Sequence, residues 1–229
     1  MRATDLAAQN PNLLSDPENL AKVSWEYANN CVGQRGGWQD EYAAIYGGVN
    51  LWKFSRNGES GVMEITRTKI NKEIANRLEK NLVLVGVGGP GVARRESSNI
   101  HDLVFGSENY KVNTKYIKEI SESTRNLASS LVHGHLSIVP NTLNKIWENS
   151  RILYPSMESD NMKKLQEECA GLYSGAKAMG AGGDGSCMLF YTDSPDKKER
   201  LVEKIGSCGI LDVRVIPFKF DYEGIKKEY

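Results

Sequence analysis

The sequence predicts an α+β protein whose sheets are antiparallel or mixed. Three observations carry that. Short strand-like runs occur at 49–54, 61–66 and 82–87, after one N-terminal helix pattern. A predominantly helical block then extends from beyond Gly91 to about residue 178. Strand, helix and strand follow at 188–192, 194–208 and 213–220. Regular β-α-β alternation is absent, which argues against a doubly wound parallel sheet.

The first helix is predicted to start at Ser15-Asp16-Pro17-Glu18 and to run to Asn30. Ser15 can cap it, Pro17 suits an early helical position, and Glu18 completes an S-x-x-E box. A glycine-rich stretch at 33–37 follows and ends at Trp38-Gln39-Asp40. The strands at 49–54 and 61–66 are predicted to be joined by a turn at Arg56-Asn57-Gly58. Lys69 to Leu78 reads as a short helix, and Leu82 to Val87 as a strand buried on both faces. Gly88-Gly89-Pro90-Gly91 ends that strand.

In the helical block, Ile117, Ile120, Thr124, Leu127 and Leu131 share one face, and Met162, Leu165, Cys169 and Leu172 share another. Leu143 to Trp147 marks a third helix. Ser194-Pro195 starts a helix through Cys208 that Gly209 can close. No internal repeat or low-complexity tract is present.

With 29 basic and 29 acidic residues among 229, nothing in the net charge favours nucleic acid or an anionic membrane as partner. Basic groups at work here would act locally, on a phosphate or carboxylate. The N-terminus lacks a secretory pattern, and no apolar run approaches a membrane span. Cys31, Cys169, Cys187 and Cys208 form no CxxC pair and read as buried reduced thiols, not a disulfide framework or zinc site. A cytoplasmic protein is expected.

Two segments stand out chemically. Gly180-Ala181-Gly182-Gly183-Asp184-Gly185 is dense enough for either a tight structural turn or a nest of free N–H groups around a phosphate. Asp40 opens a short predicted helix, where it could cap the helix or present a carboxylate at a cleft rim. Arg94 or Arg95 could grip a phosphate bidentately or pair with Glu96. Lys177 could reach a phosphate, although an exposed helical lysine is the preferred reading. Glu26 reads as surface charge, and His133-x-His135 lacks ligands at metal spacing.

Gly36-Gly37-Trp38-Gln39-Asp40-Glu41-Tyr42-Ala43-Ala44, with Gly47-Gly48-Val49-Asn50 after it, resembles the acid-bearing segment of sugar kinases in the GHMP superfamily. The string from Ser174 to Tyr191 resembles that superfamily's third motif, a small-residue helix end leading into a glycine loop and an apolar strand. Asp184 stands where many members have glycine. The ending at 214–224 is similar to the F-x-F-D-x-x-G close of the heptose phosphate kinase branch. The resemblance runs from about residue 15 to residue 225.

It implies a GHMP kinase-like α+β fold: a partial ribosomal-S5-like domain at 1–80 and a ferredoxin-like α/β domain at 81–229. It implies ATP and Mg²⁺ as cofactors and phosphoryl transfer to a hydroxyl of a sugar or sugar phosphate, with heptose phosphate favoured. Small-molecule sugar and nucleotide would be the partners, with no nucleic acid or membrane, and a homodimer is compatible with it. By the same resemblance Asp40 is catalytic, and Gly180, Gly182, Gly183 and Gly185 bind ATP phosphate. Gln39, Tyr42, Arg94 and Arg95 contact substrate, and no residue is assigned to a metal.

Relatives carry upstream a G-L-G-S-S-like loop that holds the ATP phosphates on backbone N–H groups and a helix dipole. No such string occurs in the 229 residues. The expectation is therefore impaired transfer by this chain alone, whether it is a fragment, an alternative product or a degenerate member. A non-catalytic sugar-phosphate sensor is the alternative, and ATP-dependent decarboxylation ranks last.

Overall fold

The structure, a computed structural model, describes residues 15–33, 37–56, 63–88, 110–180 and 182–226. It divides into two compact units, residues 1–76 with 220–229 and residues 77–219.

In the first unit, α1 (Pro17–Asn30) and α2 (Gln39–Tyr46) accompany an antiparallel pair, β1 (Asn50–Arg56) and β2 (Met63–Lys69). The cap of α1 is Asp16, one residue later than expected. Its carboxylate accepts from Asn19 N at 3.0 Å, while Glu18 pairs forward with Lys22 at 2.6 Å. With Pro17 at the first helical position, Asp16 is the residue whose side chain meets the free N–H groups. The expected turn at 56–58 falls largely outside the described residues. Leu20, Ala21, Tyr42 and Ile45 form the core, with Trp38, Tyr46, Trp52, Phe54, Ile65 and Ile225 packed against it.

α3 (Lys72–Asn81) begins three residues later than expected, and the division between the units falls within it. The second unit continues with β3 (Leu82–Val87), α4 (Tyr110–Val132) and α5 (Val139–Leu153). A single 3₁₀ turn at Pro155–Met157 precedes α6 (Asp160–Glu168). β4 (Gly175–Met179), β5 (Ser186–Tyr191), α7 (Pro195–Ser207) and β6 (Val213–Ile216) complete it.

The four strands form one antiparallel sheet in the order β4-β5-β3-β6. With helices between β3 and β4 and between β5 and β6, this is the split β-α-β arrangement of ferredoxin-like domains. The α+β class expected from the sequence is the observed one.

Antiparallel pairing puts Val83, Val85, Val87, Ala176, Ala178, Met188 and Phe190 on one face, which builds the core with Trp147, Met162, Leu165, Leu201 and Ile205. Each large apolar side chain buried there contributes roughly 1.5–3 kcal/mol. Leu82, Leu84, Lys177, Leu189 and Ile216 lie on the other face.

Two expectations fail here. Residues 174–179 are not a helix end: the last helix of the block stops at Glu168, and Gly175–Met179 pairs along its whole length with Met179↔Cys187 to Gly175↔Tyr191. The last strand ends at Ile216 because Pro217 has no N–H for the ladder.

Candidate functional site

Asp40 lies in the first turn of α2 and is exposed. It does not cap the helix. Trp38 occupies that position, with no side-chain bond to the first turn, and stacks on Trp25 with centroids 4.1 Å apart. The Asp40 carboxylate has no hydrogen bond or ion pair among the described residues.

The rest of α2 is held firmly. Tyr42 is 1% exposed and meets four rings: Trp38, Tyr46, Trp52 and Phe54, at 5.1–6.3 Å. At the far end Gly47 and Gly48 take φ of 58° and 76°, values that favour glycine. Gly48 N donates to Asp221 O at 2.5 Å, and a Cβ on Gly47 would stand 2.5 Å from Gly224 N. Ile225 N donates to Ile45 O at 3.2 Å.

The G-G-x-N string and the closing D-x-x-G string are thus one latch. Arg67 secures it. Its Nε donates to Asn50 Oδ1 at 2.7 Å, a second nitrogen reaches Gly47 O at 3.4 Å, and Asn50 Nδ2 donates to the same carbonyl at 2.8 Å. The guanidinium also covers the rings of Tyr46 and Trp52.

Gln39 is exposed beside Asp40, whereas Tyr42 is a core residue. The Tyr42 hydroxyl is buried without a partner, and burial pushes its pKa up to about 12, with the Glu18 charge adding to it. Glu41, half-buried, has one carboxylate oxygen without a partner. Burial raises its pKa above the ordinary 4.5, against the lowering effect of a backbone hydrogen bond and with a further push from Asp40.

In the second unit the glycine segment is the loop of the β4–β5 hairpin. Gly180, Gly182, Gly183 and Gly185 all take positive φ, from 65° to 86°. Gly183 N donates to Met157 O at 2.8 Å and Gly185 N to Val87 O at 2.7 Å. These two amides are spent inside the protein, so the loop is not the run of free N–H groups that the sequence suggested. The glycines also serve close approach: a Cβ on Gly182 would stand 2.5 Å from Met157 O.

Met157 is itself held in place. Neighbouring Glu158 takes Arg151 at 3.1 and 3.2 Å and Gln166 Nε2 at 2.8 Å, and Trp147 Nε1 donates to Gln166 Oε1 at 3.2 Å. Asp184 Oδ2 accepts from Asn161 at 3.3 Å, and its other oxygen is buried without a partner. Lys177 is a half-buried strand residue, not an exposed helical one.

Arg94 and Arg95 lie outside the described residues, as do His101 and Gly36. Glu26 is exposed. His133 bonds Ser129 O at 2.7 Å just past the end of α4. Of the cysteines, all free, Cys169 alone is fully buried and Cys31 is exposed, so the expectation of four buried thiols does not hold. Among the described residues no group of three or more His, Cys, Asp or Glu could hold a metal ion. Magnesium arriving on nucleotide phosphates needs only one or two carboxylates, a demand that Asp40 or Asp184 fits chemically. No helix among the described residues is long and apolar enough to cross a membrane.

Sequence reasoning missed Arg67 and the latch because their partners are remote in the chain. The two strings themselves, G-G-x-N at 47–50 and D-x-x-G at 221–224, were legible, but not that they meet.

No family model matches the chain. Among curated proteins it is 27% identical over 217 residues to D-glycero-alpha-D-manno-heptose 7-phosphate kinase of Campylobacter jejuni, covering 94% of this chain and 60% of that protein. Among solved structures, D-glycero-D-manno-heptose 1-phosphate kinase from Bacteroides thetaiotaomicron superposes with a TM-score of 0.61 at 20% identity, over 91% of this chain and 54% of that one. Mevalonate kinase of L. major gives a TM-score of 0.61 at 17% identity, over 87% and 57%. These likenesses establish the fold, and the chain spans at most 60% of the length of each of these relatives.

Proposed function

We propose that this chain, whose curated and structural neighbours point to GHMP-family sugar kinases, is part of a kinase that moves a phosphoryl group from ATP to a hydroxyl of a sugar or sugar phosphate. The observation that carries the reading is Asp40, an exposed carboxylate with no partner among the described residues, on a helix latched at its other end.

In this reading Asp40 orients the acceptor hydroxyl and takes its proton as the oxygen attacks the γ-phosphorus and ADP leaves. The latch supports the reading because a carboxylate misplaced by about 1 Å can cost a hundredfold in rate. Gln39 sits beside Asp40 to meet the acceptor. Tyr42 acts on substrate only through the position of α2, since its ring is core. Gly180, Gly182, Gly183 and Gly185 shape the phosphate side, Arg94 or Arg95 grips a substrate anion, and Mg²⁺ enters with ATP. A phosphorylated heptose is the favoured acceptor, in keeping with the curated relative, and dependence on ATP implies the cytoplasm.

Asp40→Asn, in a protein that also carries a glycine-serine phosphate loop, should lower turnover by at least about a hundredfold while nucleotide binding persists. Retained turnover would remove the role given to Asp40. The 229 residues alone, without such a loop string, should turn over ATP far below ordinary kinase rates.

One observation favours a second reading. The amides of Gly183 and Gly185 are already bonded, so the hairpin loop offers a phosphate fewer donors than its glycines suggest. A sugar-phosphate sensor would need no transfer geometry. Calorimetry separates the two: sugar phosphate bound equally with and without ATP, and no turnover, supports the sensor.

A further inference from the structure

The geometry points to Lys177 as a phosphoryl-binding residue, its ammonium group forming with the β4–β5 loop a seat for a phosphate dianion. This deepens the reading of the loop as the phosphate side of the kinase and rests on it.

Lys177 is paired with Leu189 at the centre of β4, on the sheet face opposite the Val83, Val85 and Phe190 core. Its Nζ runs forward along the strand, donating to Ala178 O at 2.9 Å and lying 3.5 Å from Met179 Sδ. The ammonium therefore ends beside the last residue of β4, next to Gly180, where the loop begins. Loop and lysine belong to one hairpin, so their approach is set by local backbone.

Among the described residues no carboxylate lies within ion-pair distance of that ammonium. One carbonyl and a thioether leave this half-buried cation largely uncompensated. That burial pulls the Lys177 pKa below its ordinary value, with no charged neighbour to offset it. An uncompensated cation is retained at a cost to stability, as expected where it serves a ligand. The structural reading is that Lys177 merely covers the carbonyl of an edge strand. Asn144 already covers the neighbouring edge groups, donating to Ser174 O at 3.0 Å and accepting from Ala176 N at 2.9 Å.

The two readings predict opposite effects of removing the charge. Lys177→Met keeps the length and apolar stem of the side chain. It should melt no lower than the parent 229-residue chain, and should bind inorganic pyrophosphate at least about tenfold more weakly by calorimetry. Lys177→Arg should keep most of the affinity. Parallel titrations with ATP and with a hexose monophosphate distinguish donor from acceptor phosphate. A loss confined to either one supports the seat and says which phosphate occupies it.

Unchanged pyrophosphate affinity in Lys177→Met, or no pyrophosphate binding by the parent chain, overturns the inference. So does a melting temperature lowered by several degrees, the mark of an edge cap. Its failure is separable from that of the kinase reading. Pyrophosphate bound through Lys177, with no transfer to any sugar by a protein that also carries a glycine-serine phosphate loop, leaves the seat and removes the kinase. Turnover that depends on Asp40 but is indifferent to Lys177 does the reverse.

Discussion

The two units hold their polar segments by different means. In the first, the short helix bearing Asp40 rests on rings: Tyr42 packs among Trp38, Tyr46, Trp52 and Phe54, and Arg67 lies over two of them. In the second, the glycine loop is bonded to Met157 and Val87, and the neighbouring side chains of Arg151, Glu158, Gln166 and Trp147 are joined by hydrogen bonds.

Polar satisfaction differs accordingly. Among the described residues, Ser24, Glu41 and Tyr42 of the first unit each bury an unpartnered side-chain atom, against Asp184 alone in the second. Unpaired buried groups cost roughly 1–3 kcal/mol each. The first unit thus gives up stability around the candidate acid, while the second leaves one such atom in its glycine loop.

Four substitutions sharpen or break that contrast. The largest effect is expected at Gly182→Ala, where positive φ and a methyl driven against Met157 together cost roughly 2–5 kcal/mol. Urea titration checks it, and a loss below about 1 kcal/mol would mean that the loop yields easily.

Arg67→Ala comes next, at about 2 kcal/mol, from the lost bonds to Asn50 and Gly47 and the uncovered rings. Its diagnostic sign is a near-ultraviolet circular dichroism change as the Tyr46 and Trp52 packing loosens; an unchanged spectrum would sink the clamp.

Tyr42→Phe has the opposite sign. It removes an unpartnered hydroxyl and keeps the ring, so it should be neutral or stabilise by about 1 kcal/mol. A clear destabilisation would reveal a bond to that hydroxyl.

The smallest effect, and the only one that depends on pH, belongs to Glu41→Gln. With its folded pKa raised, the Glu41 contribution to stability is fully present below the unfolded value of 4.5 and is lost as pH rises through the folded one. Glutamine stays neutral, so the variant should match the parent below that value and melt higher at neutral pH. Melting curves across that range decide it, and a difference of reverse sign would refute the burial argument.

Local signals were legible wherever they were strong and self-contained. Leu82–Val87 appears at the residues where a continuous apolar run placed it. The helix from Ser194-Pro195 begins with the Ser194 hydroxyl accepting from Lys197 N at 3.2 Å, as a cap read from sequence should. Asp16 in place of Ser15 shows the limit of such reading, since two adjacent capping residues compete and only backbone geometry chooses.

By itself, then, the sequence determined the α+β class, the periodic helices, the apolar strands and the two segments worth examining, because hydrophobic period and cap chemistry act over a few residues. Tertiary structure alone decided that Gly175–Met179 is a strand. Alanine, glycine, lysine and methionine carry no strong strand preference there, and only the β5 ladder beside them settles it. It also decided that Gly47-Gly48 meets Asp221 and Gly224, and that the amides of Gly183 and Gly185 face inward. Such contacts form between residues remote in the chain, where no local pattern records which partner a backbone group will find.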